Sequence, residues 1–133
     1  MTDGGSIIAM TYYGGEKVIK NYKLMGTCKA ALDSSVRELA NDFGSKNIRV
    51  NAIMPGYIRT PLIDTMALDA CPEDPESVVN SIAGAIPMGR MGKIEELGEL
   101  AAFLACEESS YITGQGIVID GGSTLPETAT MGV

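Results

Sequence analysis

Histidine is absent from this 133-residue sequence, and several kinds of catalytic site are excluded with it. Without an imidazole the chain cannot form a Ser-His or Cys-His nucleophilic site or a His-ligated metal centre. Acid–base chemistry would have to come from tyrosine, lysine, cysteine or carboxylate side chains. We therefore predict no metal site and look for chemistry among those residue types.

Cysteine is also scarce. The three cysteines, Cys28, Cys71 and Cys106, lie far apart, are odd in number and contain no Cys-x-x-Cys pair. This usage favours reduced thiols, so we expect a cytoplasmic protein without disulfides. Cys28 and Cys106 fall on apolar faces of predicted helices, and we interpret both as core residues.

Basic residues are outnumbered and long apolar runs are missing. Ten Lys and Arg residues against 17 Asp and Glu residues give a formal charge of −7. An acidic surface repels phosphate backbones, so we expect no nucleic-acid partner. No apolar run approaches the roughly 20 residues that span a bilayer, and no basic segment precedes the first apolar stretch, so we expect neither a membrane partner nor a signal peptide.

Apolar patterning divides the chain into alternating strands and helices. Strands are predicted at residues 6–11, 48–54 and 116–120, and helices at residues 22–43, 62–68, 75–83 and 94–105. The long helix carries an apolar stripe at Met25, Cys28, Leu32, Val36 (or Ser35), Leu39 and Phe43. Gly44 is placed to end it in a left-handed cap, and Asp74 to cap the helix at Pro75.

This alternation predicts a parallel α/β sheet with right-handed crossovers. The first strand reads as buried on both faces, as parallel strands are. Three strands make a thin sheet, however, and residues 7–10 would expose an apolar edge that something should cover. We predict one partial domain over residues 1–133, with residues 123–133 as a tail.

Two tyrosines and a lysine form the candidate catalytic group. Tyr12 follows the first strand, Tyr22 opens the long helix, and Lys29 lies two helical turns later on the same side as Tyr22. A nearby ammonium favours the phenolate form of a tyrosine, so such a pair can act in proton donation.

The motifs around these residues resemble a known family. Tyr12-x9-Tyr22-x6-Lys29, with NYKLMG at 21–26 and KAAL at 29–32, resembles the active-site block of NADH-dependent enoyl-[acyl-carrier-protein] reductases. Four later segments resemble the wider short-chain dehydrogenase/reductase superfamily: RVNAI at 49–53, IRT at 58–60, AAFL at 101–104 and TGQGIVIDGG at 113–122. The resemblance covers residues 4–123.

Spacing separates two branches of that superfamily. Carbonyl-reducing members carry a tyrosine four residues before the lysine and a serine thirteen residues before that tyrosine. Counted back from Lys29, these positions hold Met25 and Tyr12, as in the enoyl reductase pattern. For the fold, the resemblance implies the C-terminal half of a Rossmann-like, doubly wound parallel sheet, with about three strands and three to four helices and without the glycine-rich nucleotide-binding half.

The resemblance also implies residue roles. Tyr22 would stabilise the enolate of an enoyl thioester, Lys29 would hold the nicotinamide ribose, and Tyr12 would line the acyl site. The cofactor-flanking segment would comprise Ile58, Arg59, Thr60, Pro61 and Leu62. Arg59 has a second interpretation as a solvated surface charge. The implied cofactor is NAD(H), with NADP(H) as the alternative. The implied partners are an acyl-carrier-protein or CoA thioester, in fatty-acid synthesis, and three further copies in a homotetramer.

Two departures keep alternatives open. The segment PGYIRTP at 55–61 resembles the ordinary branch, since enoyl reductases usually have Gly-Pro where this chain has Gly56 and Tyr57. A 3-oxoacyl or other carbonyl substrate is therefore the second interpretation, and an inert oligomerisation fragment the third. The sequence also contains no Gly-x-x-x-Gly-x-Gly or Gly-x-Gly-x-x-Gly turn for a pyrophosphate. We expect the chain alone to bind NADH poorly and to need the missing half.

Overall fold

The computed structural model describes residues 1–126 and contains three parallel strands and four helices. The main elements are β1 (Gly5–Met10), α1 (Lys23–Phe43), β2 (Ile48–Pro55), α2 (Pro61–Ala70), α3 (Pro75–Gly84), α4 (Ile94–Ala105) and β3 (Gly116–Ile119). Short 3₁₀ turns occupy Tyr13–Gly15, Gly44–Lys46 and Glu107–Ser109. The strand order is β1-β2-β3, which confirms the predicted α/β class and element order. Residues 127–133 of the predicted tail lie outside the described residues.

The first of two compact units comprises residues 1–55 and 95–118. Its core joins Val36 and Ala40 of α1 to Ile48, Val50 and Ala52 of β2. Because β2 is the central strand, nearly all of its side chains are buried, as expected for a parallel strand between two neighbours. This packing fixes α1 over the sheet and so positions the residues at its N-terminal end.

Asn51 is a fully buried polar residue at the centre of the first unit. Its amide nitrogen donates to the carbonyl of Ile112 at 2.8 Å, and its side-chain oxygen accepts from the backbone N–H of Gln115 at 3.1 Å. The hydroxyl of Thr113 accepts from the N–H of Val50 at 3.0 Å. These bonds attach the loop before β3 to β2. They also give hydrogen-bond partners to buried polar groups, which would destabilise the fold if they were left without partners.

The second unit comprises residues 56–94 and, among the described residues, 119–126. Its core is formed by Ala67, Val79, Ile86 and Met91. The predicted start of α3 is confirmed, since the Asp74 side chain accepts from the N–H of Ser77 at 3.2 Å. No helix in the described part of the chain is long and apolar enough to cross a membrane.

The predicted apolar stripe of α1 was partly wrong. Met25, Cys28 and Leu39 are exposed, whereas the buried positions are Asp33, Val36 and Ala40. Two positions of the predicted stripe were right, since Val36 is buried and Phe43 packs against the core. The buried face also includes Asp33 and Ala40, which the periodicity of large apolar residues does not mark.

Three further expectations were corrected. Cys106 is exposed, as Cys28 is, so neither is a core residue. Gly44 is right-handed, and the left-handed residue is Asn47 (φ 56°), because a 3₁₀ turn continues the helix first. Strand β1 is half-buried and not enclosed on both faces, and within residues 1–126 it pairs with β2 alone, so one of its edges is also open.

Candidate active site

The segment between β1 and α1 carries the predicted catalytic tyrosines. Tyr12 lies two residues beyond the end of β1, and the 3₁₀ turn Tyr13–Gly15 follows it at once. Tyr22 occupies the N-cap position of α1. Tyr12, the 3₁₀ turn and Tyr22 all belong to the first compact unit. Side chains just after the carboxyl end of a parallel strand are typical of ligand sites in α/β proteins.

Glycines allow this turn to pack directly on α1. A Cβ on Gly26 would lie 2.7 Å from the carbonyl oxygen of Gly14, and one on Gly14 would lie 2.7 Å from the ring of Tyr22. A Cβ on Gly15 would lie 2.9 Å from the backbone nitrogen of Ala30. Any side chain at these positions would separate the turn from the helix. The three glycines thus determine where Tyr12 and Tyr22 lie.

The two tyrosine rings are in direct contact. The centroids of Tyr12 and Tyr22 lie 5.3 Å apart at an interplanar angle of 74°, an edge-to-face arrangement. Such a geometry is favourable for aromatic pairs and restricts both rings. The two residues that the sequence singled out are therefore adjacent, although nine residues separate them in the chain.

Lys29 reaches back to the end of β1. Its Nζ donates to the carbonyl oxygen of Met10 at 2.9 Å, and Met10 lies two residues before Tyr12. An ammonium group has three N–H donors, so two remain for other acceptors. This bond keeps the ammonium at the same end of β1 as the tyrosines, and Lys29 is half-buried there.

An open groove of about 480 Å³ lies between the turn and the first two turns of α1. Its lining residues are Gly14, Gly15, Glu16, Lys17, Val18, Ile19, Tyr22, Lys23, Gly26, Thr27 and Ala30. Tyr22 thus borders the groove, whereas Tyr12 and Lys29 do not line it.

Asp33 is a feature that the sequence analysis missed. It is buried on the inner face of α1, and neither carboxylate oxygen has a hydrogen-bond partner among the described residues. A Cβ on Gly15 would lie 2.8 Å from its Oδ2. The carboxylate therefore lies against the glycine turn that holds Tyr12. The one available signal was its position four residues after Lys29, one turn along the same helix face.

The predicted cofactor segment lies in the second unit. Ile58 forms an isolated bridge with Gly92, and the N–H of Arg59 donates to the Gly92 carbonyl at 2.9 Å. Thr60 is the N-cap of α2, yet its side chain makes no capping hydrogen bond. Pro61 begins the helix and Leu62 is exposed. The hydroxyl of Thr60 is thus not engaged in capping α2, and the side chain of Leu62 is exposed.

Arg59 is engaged by two carboxylates. Its Nε lies 2.6 Å from Oδ1 of Asp64, and its Nη2 lies 3.3 Å from Oε2 of Glu76. The hydrogen bond to Glu76 raises the pKa of Arg59; desolvation opposes the rise, and Asp64 adds to it. The guanidinium stays charged but is shared between α2 and α3. It is neither a plain solvated charge nor a cation without partners.

Each unit carries groups whose chemistry suits a part of a nicotinamide nucleotide. In the first unit, the two further donors of Lys29 suit a ribose diol. In the second unit, the hydroxyl of Thr60 suits a phosphate oxygen. The glycine turn that cradles a pyrophosphate does not occur in the sequence. Within residues 1–126, no three Cys, Asp or Glu side chains group as a metal site.

Comparison with known proteins identifies the family. The family model described as enoyl-(acyl carrier protein) reductase matches residues 1–124. Oxidoreductase UcpA of Escherichia coli (strain K12) is 48% identical over 130 residues, which cover 97% of this chain and 49% of that protein. The NADH-dependent enoyl-[acyl-carrier-protein] reductase FabI of Bacillus subtilis (strain 168) is 44% identical over 122 residues, covering 92% of this chain and 45% of FabI.

A solved structure shows the same fold. L-sorbose reductase from Gluconobacter frateurii, in complex with NADPH and L-sorbose, superposes with a TM-score of 0.88 at 29% identity. The match covers 94% of this chain and 49% of that one. The chain spans about half the length of the curated relatives it matches, namely their C-terminal half, which confirms the predicted half of a Rossmann-like sheet.

Proposed function

The chain belongs to the enoyl-(acyl carrier protein) reductase family within the short-chain dehydrogenases/reductases, and on that basis we propose that it is the catalytic half of an enoyl-thioester reductase. The observation that carries the proposal is the Tyr12–Tyr22 ring pair, with Lys29 bonded to the end of β1 beside it. Met25 occupies the position where a carbonyl-reducing member has its tyrosine, and its side chain has no proton to donate.

The proposed reaction adds a hydride to the β-carbon of a trans-2-enoyl thioester and a proton to its α-carbon. Negative charge develops on the thioester oxygen between these two events. The hydroxyl of Tyr22 donates a hydrogen bond to that oxygen, and a donor of this kind contributes about 2.7–4 kcal/mol to catalysis. Tyr12 supports the ring of Tyr22 from its edge and lines the acyl side.

A reduced nicotinamide, when bound, supplies the hydride. In this chain Lys29 would hold the ribose hydroxyls, and residues 58–62 would flank the nicotinamide and the pyrophosphate. NADH is the preferred nucleotide because FabI of Bacillus subtilis is named for it, and NADPH, which the sorbose reductase binds, is the alternative. Arg59 would have to leave Asp64 or Glu76 before it could bind a phosphate.

The test joins this chain to the N-terminal half of Bacillus subtilis FabI and compares the fusion with the 133-residue chain. Consumption of NADH is followed with crotonyl-CoA and acetoacetyl-CoA. We expect the fusion to prefer the enoyl substrate and the chain alone to turn over little, because it lacks the glycine turn. Strong activity of the verified 133-residue chain would contradict the half-enzyme proposal.

Substitution of Tyr22 tests the assigned role. In the fusion, Tyr22→Phe should lower kcat by about 10²–10³-fold with a smaller change in KM, because the donor acts on charge that develops in the transition state. Tyr13→Phe is the matched control, since Tyr13 is the neighbouring tyrosine in the 3₁₀ turn. Equal losses in the two variants, or none in Tyr22→Phe, would contradict the role.

A carbonyl substrate is the second candidate function. Tyr57 is half-exposed in the segment that resembles the ordinary branch, and L-sorbose reductase shares the fold. UcpA, named simply as an oxidoreductase, is also similar. A preference for acetoacetyl-CoA over crotonyl-CoA in the same assay would favour this candidate and reject the enoyl assignment.

The wider setting belongs to the proposal as well. We propose an acyl-carrier-protein or CoA thioester as substrate, a role in fatty-acid synthesis, and a cytoplasmic homotetramer. The exposed apolar side chains Leu24, Met25 and Leu39 of α1 support subunit contacts. An inert oligomerisation fragment would show the same contacts but no activity in the fusion.

A further inference from the structure

Positive charge is concentrated beside the predicted catalytic tyrosines. Lys17, Lys20 and Lys23 are three of the ten basic residues in a chain of net charge −7, and they lie within seven positions. All three are exposed, and none takes part in an ion pair within residues 1–126. A local surplus of unpaired ammonium groups on an acidic protein is an attractive site for an anion.

Two of these lysines line the groove of about 480 Å³ described above, whereas Lys20 does not. The same groove has apolar walls at Val18, Ile19 and Ala30. A suitable ligand therefore combines an anionic end with an apolar, flexible body. Because Tyr22 also lines the groove, that ligand would extend toward the residue to which the thioester oxygen is assigned.

We infer that this groove binds the phosphorylated pantetheine arm of the thioester carrier, with Lys17 and Lys23 on the phosphate. The inference rests on the proposed function, because it assigns the anchoring of that substrate. The phosphate is shared by coenzyme A and by carrier proteins that bear the arm, so the site recognises the chemistry common to both. The dimethyl and methylene groups of the arm would pack on Val18 and Ile19.

The experiment measures binding to the 133-residue chain, without nucleotide or turnover, by calorimetry and by NMR amide shifts. The probes are 4′-phosphopantetheine, dephosphorylated pantetheine and inorganic phosphate. We expect 4′-phosphopantetheine to bind about tenfold or more tightly than either of the others, since both parts of the groove contribute. Amide shifts should concentrate at residues 14–30. Coenzyme A and a holo-acyl-carrier-protein are then compared to identify the source of the arm.

Lysine variants distinguish direct contact with the phosphate in the groove from general electrostatic attraction to the loop. The double variant Lys17→Ala/Lys23→Ala should weaken binding of 4′-phosphopantetheine by about tenfold or more. Lys20→Ala is the matched control, because it removes a charge from the same loop but lies outside the groove, and it should cost about twofold or less. Lys17→Arg/Lys23→Arg should retain binding, because it keeps a positive charge at both positions.

Three results would overturn the inference: no binding of 4′-phosphopantetheine, equal binding of pantetheine or phosphate, or a Lys20→Ala loss equal to that of the double variant. None of these depends on hydride transfer. A failed reductase assay with intact binding would therefore reject the proposed function alone, and active enzyme without binding would reject the groove alone.

Discussion

Asp120 organises the turn that follows β3. Its carboxylate accepts from the N–H groups of Gly122 (2.8 Å) and Thr124 (2.9 Å) and from the hydroxyls of Thr124 (2.7 Å) and Ser123 (3.2 Å). Partial burial raises the pKa of Asp120, but the bonds from Thr124, Gly122 and Ser123 outweigh it and lower the pKa. The ionised form is thus preferred in the folded chain.

This lowered pKa predicts a pH dependence of stability. The contribution of Asp120 is present above its unfolded pKa of about 3.9 and is lost as pH falls through the lower folded value. Asp120→Asn should therefore lower the urea midpoint at neutral pH, and its difference from the wild type should shrink below about pH 4. Asp69→Asn, at an exposed position of α2, is the control. A difference that stays constant into acid would contradict the prediction.

Asp33 illustrates what residue-level sequence reasoning cannot supply. Helical periodicity marked its apolar neighbours Leu32 and Val36 as inward-facing, and an aspartate between them reads as solvent-exposed. The structure buries it against Gly15 without a partner among the described residues. The burial results from a tertiary contact, because the glycine turn covers that face of α1. A local sequence pattern does not show which segment packs on a helix.

At the scale of elements, the contact between the 3₁₀ turn Tyr13–Gly15 and helix α1 positions the candidate site. That contact depends on missing side chains, since Gly26 approaches the carbonyl of Gly14 more closely than a Cβ permits. A glycine inside a helix normally weakens it by about 0.5–1 kcal/mol relative to alanine. Gly26 therefore lowers the intrinsic stability of the helix, but it allows the close approach of the turn that holds Tyr22.

Gly26→Ala tests this account. The added methyl would meet a backbone oxygen at 2.7 Å, and we expect the free energy of unfolding to fall by about 1–3 kcal/mol despite the better helix propensity. Gly98→Ala in α4 is the matched control, because nothing lies within 4 Å of its Cβ position, and it should stabilise by about 0.5–1 kcal/mol. Urea denaturation of both variants measures the contrast. Stabilisation by both would show that the turn moves freely.

The elements themselves were largely predictable, and the reasons are local. Helix α3 has a capping aspartate and a proline at its first position, and α4 has acidic residues in its first turn and one apolar stripe. Strand β2 is mostly apolar and mostly buried, and its two polar residues, Arg49 and Asn51, interrupt the apolar run. The inner face of α1 was predictable only in part: Val36 was expected there and is buried, whereas Asp33 and Ala40 were not expected and are buried too.

At the scale of the whole molecule, the order and spacing of motifs predicted site residues that are distant in the sequence and become neighbours only in the fold. Spacing along the chain contains no distances, but it singled out Tyr12, Tyr22 and Lys29, and the first two are in ring contact. The engagement of Arg59 by Asp64 and Glu76 was missed, since it joins the starts of α2 and α3. Pairings between elements depend on packing that one-dimensional spacing does not encode.

The edge of the sheet at β1 is the remaining whole-molecule feature. Within residues 1–126, β1 pairs with β2 alone, and its residues are half-buried and largely apolar. The N–H groups of Gly5 and Thr11 donate toward β2, at 3.1 and 2.9 Å. Strand alternation then directs the N–H of Ile7 inward and that of Ile8 toward the unpaired edge. Such an edge is a template for association with another strand.

We therefore expect the 133-residue chain to aggregate through β1, and Ile8→Pro to reduce this. Proline removes the outward N–H of Ile8 without breaking a bond to β2, and edge strands tolerate it there. Ile7→Pro is the matched control: it removes an inward donor from a residue that packs on the core, so it should lower stability and increase aggregation. Light scattering during incubation at rising protein concentration, with circular dichroism to check folding, compares the three proteins. If the folded Ile8→Pro variant aggregates as fast as the wild type, association proceeds through another surface, and the exposed face of α1 becomes the next to test.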